Sequence, residues 1–165
     1  MKRENIDKAQ LNEIMEHHLK HQTFRENDQH KDVIVESVLG EKLRSRAEGI
    51  LSTVAMLFHM PYLYEAELAL SSGKGSVHKK TVRPDFKFFI NGKPVFLELL
   101  GRIHDEKYMQ AWRQKQRRYE RSGYKLGKNL VCIACNNEQS LKIQKIAHTL
   151  MSLKHGAIPE SIVYV

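Results

Sequence analysis

Apolar residues recur along this chain first at helical and then at strand spacing. Leu11, Ile14, Met15 and Leu19 share one side of a helix predicted over residues 5–21. The polar stretch TFRENDQHKD interrupts it, and a short helix is predicted over 33–38. Leu43, Ala47, Ile50, Leu51, Val54, Leu57 and Phe58 mark a long helix over 41–59, which Met60-Pro61 stops. Residues 62–70 alternate as a strand, and SSGKGSVHKK reads as a basic loop. Two β-runs, 81–90 and 93–99, flank Asn91-Gly92, the strongest two-residue hairpin signal. A helix over 105–122, a strand over 130–134, a helix over 138–154 and a last strand over 161–165 complete the chain. The predicted fold class is α/β. A small mixed α/β domain with the order α, β, β-hairpin, α, β, α occupies 41–165, behind a helical extension over 1–40.

Composition narrows the classes of partner. The chain has 165 residues, enough for one domain, and 41% of them are hydrophobic, enough for a real core. Its formal net charge is +8, and the stretch from Arg102 to Lys128 supplies six of those charges, with nine basic residues against three acidic. A concentrated basic stripe attracts polyanions. No apolar run approaches the roughly 18 residues of a membrane-spanning helix, and the basic N-terminus leads into no secretory apolar stretch. A soluble, cytoplasmic chain with no membrane partner is expected. Cys132 and Cys135 form a C-x-x-C without a second ligand pair. They are expected to be reduced core thiols on opposite faces of a buried strand.

The hairpin carries the candidate chemistry. A two-residue loop at Asn91-Gly92 makes every cross-strand pair sum to 183, so Asp85 faces Glu98 in a non-hydrogen-bonded pair. Such pairs hold their Cβ atoms roughly 4.5–5.5 Å apart. One face presents Phe86, Phe88, Ile90, Val95, Leu97 and Leu99 to the core; the other presents Asp85, Lys87, Phe89, Phe96 and Glu98. Two carboxylates this close repel unless a proton or cation lies between them. Hard oxygen ligands on rigid strands suit Mg²⁺ or Mn²⁺, which would activate water at a phosphodiester. The plainer alternative is a surface pair bonded to Lys87 or Arg83.

Pro84-Asp85, a hairpin and then Glu98 resemble the PD-(D/E)XK nuclease superfamily, the restriction-endonuclease-like fold. The resemblance spans about residues 41–135. It implies a further acidic residue on the preceding helix, which RSRAEG supplies as Glu48. It also implies a polar residue and a Tyr four positions apart on the following helix, matched by Lys115 and Tyr119. Glu98-Leu99-Leu100-Gly101, then Asp105 and Tyr108, are similar to a branch whose third motif runs Glu-His-Leu-Gly. Metal binding by Asp85, Glu98 and Glu48 is what the resemblance implies. For Glu48 the structural alternative is a capping box, Ser45-x-x-Glu48.

One position departs from the family. The expected lysine two residues beyond Glu98 is Leu100. Tyr108, Trp112, Lys115 and Tyr119 fall on one helical stripe, so Lys115 is the favoured replacement cation and Lys87 the second. A lysine that packs its stem and keeps its ammonium in water is the alternative. Lys79, Lys80, Arg83, Lys87, Arg113, Arg117, Arg118 and Arg121 are the candidate phosphate contacts, with Lys74 in the same loop. His17 and His21 lack a third ligand and read as surface residues. The expected function is a Mg²⁺- or Mn²⁺-dependent nuclease, with DNA favoured over RNA. The alternative is a nuclease-fold protein that binds nucleic acid or assembles with a partner without cutting. Residues 1–40 are the candidate element for a homodimer or larger complex.

Overall fold

The computed structural model describes residues 35–71, 79–135 and 142–165. The helix predicted over 5–21, with His17 and His21, lies outside the described residues, as does Lys74. Of the short helix predicted over 33–38, the described part, 35–38, is instead strand and turn. Val35–Glu36 (β1) pairs antiparallel with Lys42–Leu43 (β2). Ser37 Oγ accepts from the Leu39 and Glu41 N–H groups, a local bond that competes with helix, and Gly40 takes φ +79° at the turn. The long helix therefore begins later than predicted. Arg46–Leu57 (α1) starts at the Ser45 cap, where Ser45 and Glu48 form the full capping box.

The β segments are also divided differently. Tyr62–Tyr64 (β3) ends where Glu65 takes φ +50°, and Leu68–Ser71 (β4) pairs with Lys79–Val82 (β5) in a separate hairpin. Pro84, buried and unable to donate, separates β5 from Phe86–Ile90 (β6). β6 pairs with Lys93–Leu100 (β7) in the predicted register, Phe86 facing Leu97 and Ile90 facing Lys93. Asn91 and Gly92 have φ of +50° and +73°, as a two-residue turn of this twist requires. Glu106–Arg121 (α2), Leu130–Ala134 (β8), Ile143–Lys154 (α3) and Val163–Tyr164 (β9) follow.

The main sheet has the order β3-β6-β7-β8-β9, antiparallel through β7 and parallel beyond it. Both of its faces are covered. On one side α1 and α3 pack Ala47, Leu51, Ile146 and Leu150 against Phe86, Phe88, Val95 and Leu97. On the other, Trp112 and Tyr119 of α2 meet Phe96, Leu100, Leu130 and Cys132, and β4 adds Leu70. Cys132 and Cys135 are buried thiols outside any disulfide, on opposite faces of the sheet. Among the described residues no helix is long and apolar enough to cross a membrane.

A buried polar network ties the β1–β2 hairpin to this core. Tyr62 Oη donates to Glu41 Oε2 (2.6 Å), Ser37 Oγ reaches the same oxygen (3.0 Å), and Ser52 Oγ lies 2.7 Å from Tyr62 Oη. Glu41 is only 4% exposed, so each donor counts against its desolvation. Tyr62→Phe should lower stability by about 1–3 kcal/mol in urea unfolding. An unchanged midpoint would show that the hydroxyl is not needed there.

Candidate functional site

Continuing the strand registers by one residue places Glu65, Asp85 and Glu98 in one transverse row of the sheet, with Cys132 next on β8. Tyr64 pairs with Phe86, the Glu65 N–H donates to Asp85 O (3.1 Å), Phe86 pairs with Leu97, and Glu98 pairs with Cys132. The predicted opposition of Asp85 and Glu98 follows from this register.

The two carboxylates are held differently. Glu98 is 4% exposed and is met from α2 on one oxygen. Tyr119 Oη donates to Glu98 Oε1, and Lys115 Nζ lies 2.6 Å from the same atom. Trp112 and Tyr119, also on this stripe, are buried against the sheet, so the helix delivers the one lysine of that stripe to the carboxylate. The Lys115 side chain keeps 29% exposure. Burial and the Glu98 charge both push the Tyr119 hydroxyl up, so it remains a donor. Leu100 is buried in the α2-side cluster.

Asp85 Oδ2 accepts from the Leu99 N–H (2.6 Å). The residue is half-buried but its carboxyl is enclosed, and burial pushes it up to about 8. Glu98 and Glu48 push the same way, against the Leu99 N–H and the Lys115 ammonium. Burial and the charges of Asp85 and Glu98 also raise the Tyr108 hydroxyl, which places it at this site; the Arg102 guanidinium lies 5.1 Å from the Tyr108 ring centroid.

Glu48 realises its capping alternative while remaining near Asp85. Its Oε2 accepts from the Arg44 N–H (2.6 Å), the Ser45 N–H (3.2 Å) and Tyr64 Oη (3.0 Å). Among the described residues each of the three carboxylates thus has one oxygen engaged and one, Asp85 Oδ1, Glu98 Oε2 or Glu48 Oε1, without a hydrogen bond. No three His, Cys, Asp or Glu side chains among the described residues are arranged as a metal-holding group. Asp85 and Glu98 with bound water fit Mg²⁺, which commonly takes one or two protein carboxylates.

The other predicted residues spread more widely. Lys87 Nζ sits 4.9 Å over the Phe89 ring, and Arg83 pairs with Glu67 at 3.0 Å, both partners exposed. Lys79 and Lys80 are exposed on β5; Lys79 pairs with Ser71, whose N–H donates to Ser122 Oγ (2.8 Å) just beyond α2. Arg113, Arg117 and Arg121 are exposed and Arg118 half-buried. At about 100° per residue, Arg113 and Arg117 lie about 160° around α2 from Lys115. They flank a separate face.

Sequence reasoning missed Arg44, Tyr64 and Glu65. Glu65 is 8% exposed, its carboxylate pairs with the Arg44 guanidinium, and its left-handed backbone costs about 1–3 kcal/mol in a non-glycine residue. Comparison with protein-family models, curated proteins and solved structures finds no match for this chain.

A pH dependence follows from Asp85. Its folded-state value, about 8, stands above the ordinary value near 3.9, so the folded protein binds this proton more tightly. The resulting stability is fully present below about pH 4 and is lost as pH rises through about 8. In metal-free buffer the melting temperature should fall between pH 5 and pH 9, and Asp85→Asn should flatten that fall. Parallel pH profiles in the two proteins would refute the assignment.

Proposed function

We propose that the protein is a Mg²⁺- or Mn²⁺-dependent nuclease acting on DNA, in preference to RNA, and that its core is of the restriction-endonuclease-like type. The observation that carries this reading is the carboxylate pair Asp85–Glu98 with Lys115 Nζ 2.6 Å from Glu98. Support from architecture is the order α1, β3, β6, β7, α2, β8 along the main sheet, with the β4–β5 hairpin inserted after β3, an order compatible with the α-β-β-β-α-β arrangement that the PD-(D/E)XK resemblance implies.

Asp85 Oδ1 and Glu98 Oε2 would hold the ion, with Glu48 assisting directly or through water. A divalent ion there supplies an activated water and offsets charge on the phosphodiester. The chain's own groups set the stage for it. Tyr119 holds Glu98 and the Leu99 N–H holds Asp85, each through one oxygen. Lys115 supplies the positive charge that Leu100 cannot, and is the group placed to orient water or stabilise the developing oxyanion. Lys79, Lys80 and the arginines of α2 give the phosphate backbone non-specific attraction.

A second reading rests on a specific observation. Lys115 is already paired with Glu98, and no preformed metal-holding group exists among the described residues. A chain that binds nucleic acid without cutting is consistent with both.

Cleavage of plasmid and oligonucleotide substrates with Mg²⁺ or Mn²⁺ decides between them. Wild type should cut; Asp85→Ala and Glu98→Ala should abolish cutting; Lys115→Ala should lower kcat by about a hundredfold, the scale of losing one charge-stabilising group. Salt-sensitive binding with no cleavage under any divalent ion would favour the second reading. Cleavage unchanged in Asp85→Ala and Glu98→Ala would remove both carboxylates from the chemistry.

A further inference from the structure

Arg44 and Glu65 stand beside the carboxylate row and have no part in the chemistry assigned above. Arg44 precedes the Ser45 cap of α1, and its own N–H donates to Glu48 Oε2 at 2.6 Å, so its backbone is anchored to a site carboxylate. Its guanidinium pairs through Nη2 with Glu65 Oε1, and it also hydrogen-bonds the Tyr64 side chain. Glu65 is anchored in turn: its N–H donates to Asp85 O, and its backbone adopts φ +50°, a conformation that side-chain-bearing residues rarely take.

Strained non-glycine residues collect where a side chain must be aimed. Here the strain aims a buried carboxylate at a cation that is itself 46% exposed, against 10% for the Glu65 side chain. A purely structural pair would gain little from that asymmetry, because a half-exposed ion pair contributes modestly to stability. A guanidinium has five donors in a planar fork. The Arg44 side chain keeps 46% exposure while paired with Glu65, which stands in the row that holds Asp85 and Glu98. Planar forks match phosphate oxygens in pairs, and pre-orienting one lowers the entropy lost when phosphate binds.

We infer that Arg44 is a phosphate-binding residue of this site, gripping a backbone phosphate of the nucleic acid beside the carboxylate pair, and that Glu65 is its positioning residue. The inference rests on the nuclease reading for its substrate but is carried by a different pair of residues. Arg44 holds the strand; Glu65 holds Arg44. Lysine at position 44 would keep the charge and lose the fork.

Binding of a labelled DNA duplex in EDTA, across a series of salt concentrations, and cleavage with Mn²⁺ test this on the full chain. Arg44→Ala should weaken binding by about tenfold and raise KM similarly, with kcat changed less. The slope of log affinity against log salt should fall by about one, the mark of one lost phosphate contact. Arg44→Lys should keep the slope and recover only part of the affinity. Glu65→Gln should weaken binding with the slope unchanged. Thermal melting of each variant separates these effects from misfolding. If wild type binds and cuts but Arg44→Ala keeps both its KM and its salt slope, the role of Arg44 is overturned and the nuclease reading stands. If wild type neither binds nor cuts nucleic acid, the nuclease reading itself has failed, and the phosphate assignment with it.

Discussion

Glu98 carries a charge into the interior, where an unmatched carboxylate would cost far more than a folded domain of this size can absorb. At 4% exposure it has almost no water to rely on, and α2 supplies what water would have supplied. Lys115 and Tyr119 are one turn apart and converge on a single oxygen, Oε1. Meeting that charge fixes how α2 is rotated on the sheet. With Lys115 and Tyr119 turned inward, Trp112 follows them onto Phe96 and Leu100, and Arg113 and Arg117 must face away. The β4–β5 hairpin then has a defined surface on which to lay Leu70, and Ser122 is placed to receive the Ser71 N–H.

Asp85 shows the opposite solution to the same problem. It has one backbone donor, Leu99, and lies beside Glu98 and within the influence of Glu48, so its proton is retained to higher pH. Two carboxyls at neighbouring register positions thus differ in how their charge is met. The difference arises because the α2 side chains Lys115 and Tyr119 bond Glu98 directly, whereas Asp85 takes a backbone donor.

Much of this was legible in the residues themselves, for local reasons. Asn91-Gly92 dictates a two-residue turn, and the turn sets the register that opposes Asp85 to Glu98. Ser45 and Glu48 announce a cap that forms as read, and the 108–112–115–119 stripe correctly puts Lys115 at the hairpin. Errors fall where a short segment could satisfy its backbone in more than one way. Residues 35–43 form a hairpin instead of the helix predicted over 33–38 because Ser37 bonds its own neighbours and Val35 packs against the bare Gly49 Cα; a Cβ there would meet Val35 Cγ1 at 3.0 Å. The run 81–90 is two strands because Pro84 lets β5 leave the main sheet for β4.

The amino-acid sequence by itself determined the hairpin, its register, the amphipathic stripe and the cap, since each depends on residues within one or two turns of chain. Only the tertiary structure decided that Glu65 stands in register with Asp85 and that Arg44 reaches Glu65. Those relations join segments about 20 residues apart or lie across the sheet from one another. No local periodicity encodes them, because they follow from how the desolvated charge of Glu98 and the two apolar faces of the sheet are satisfied together.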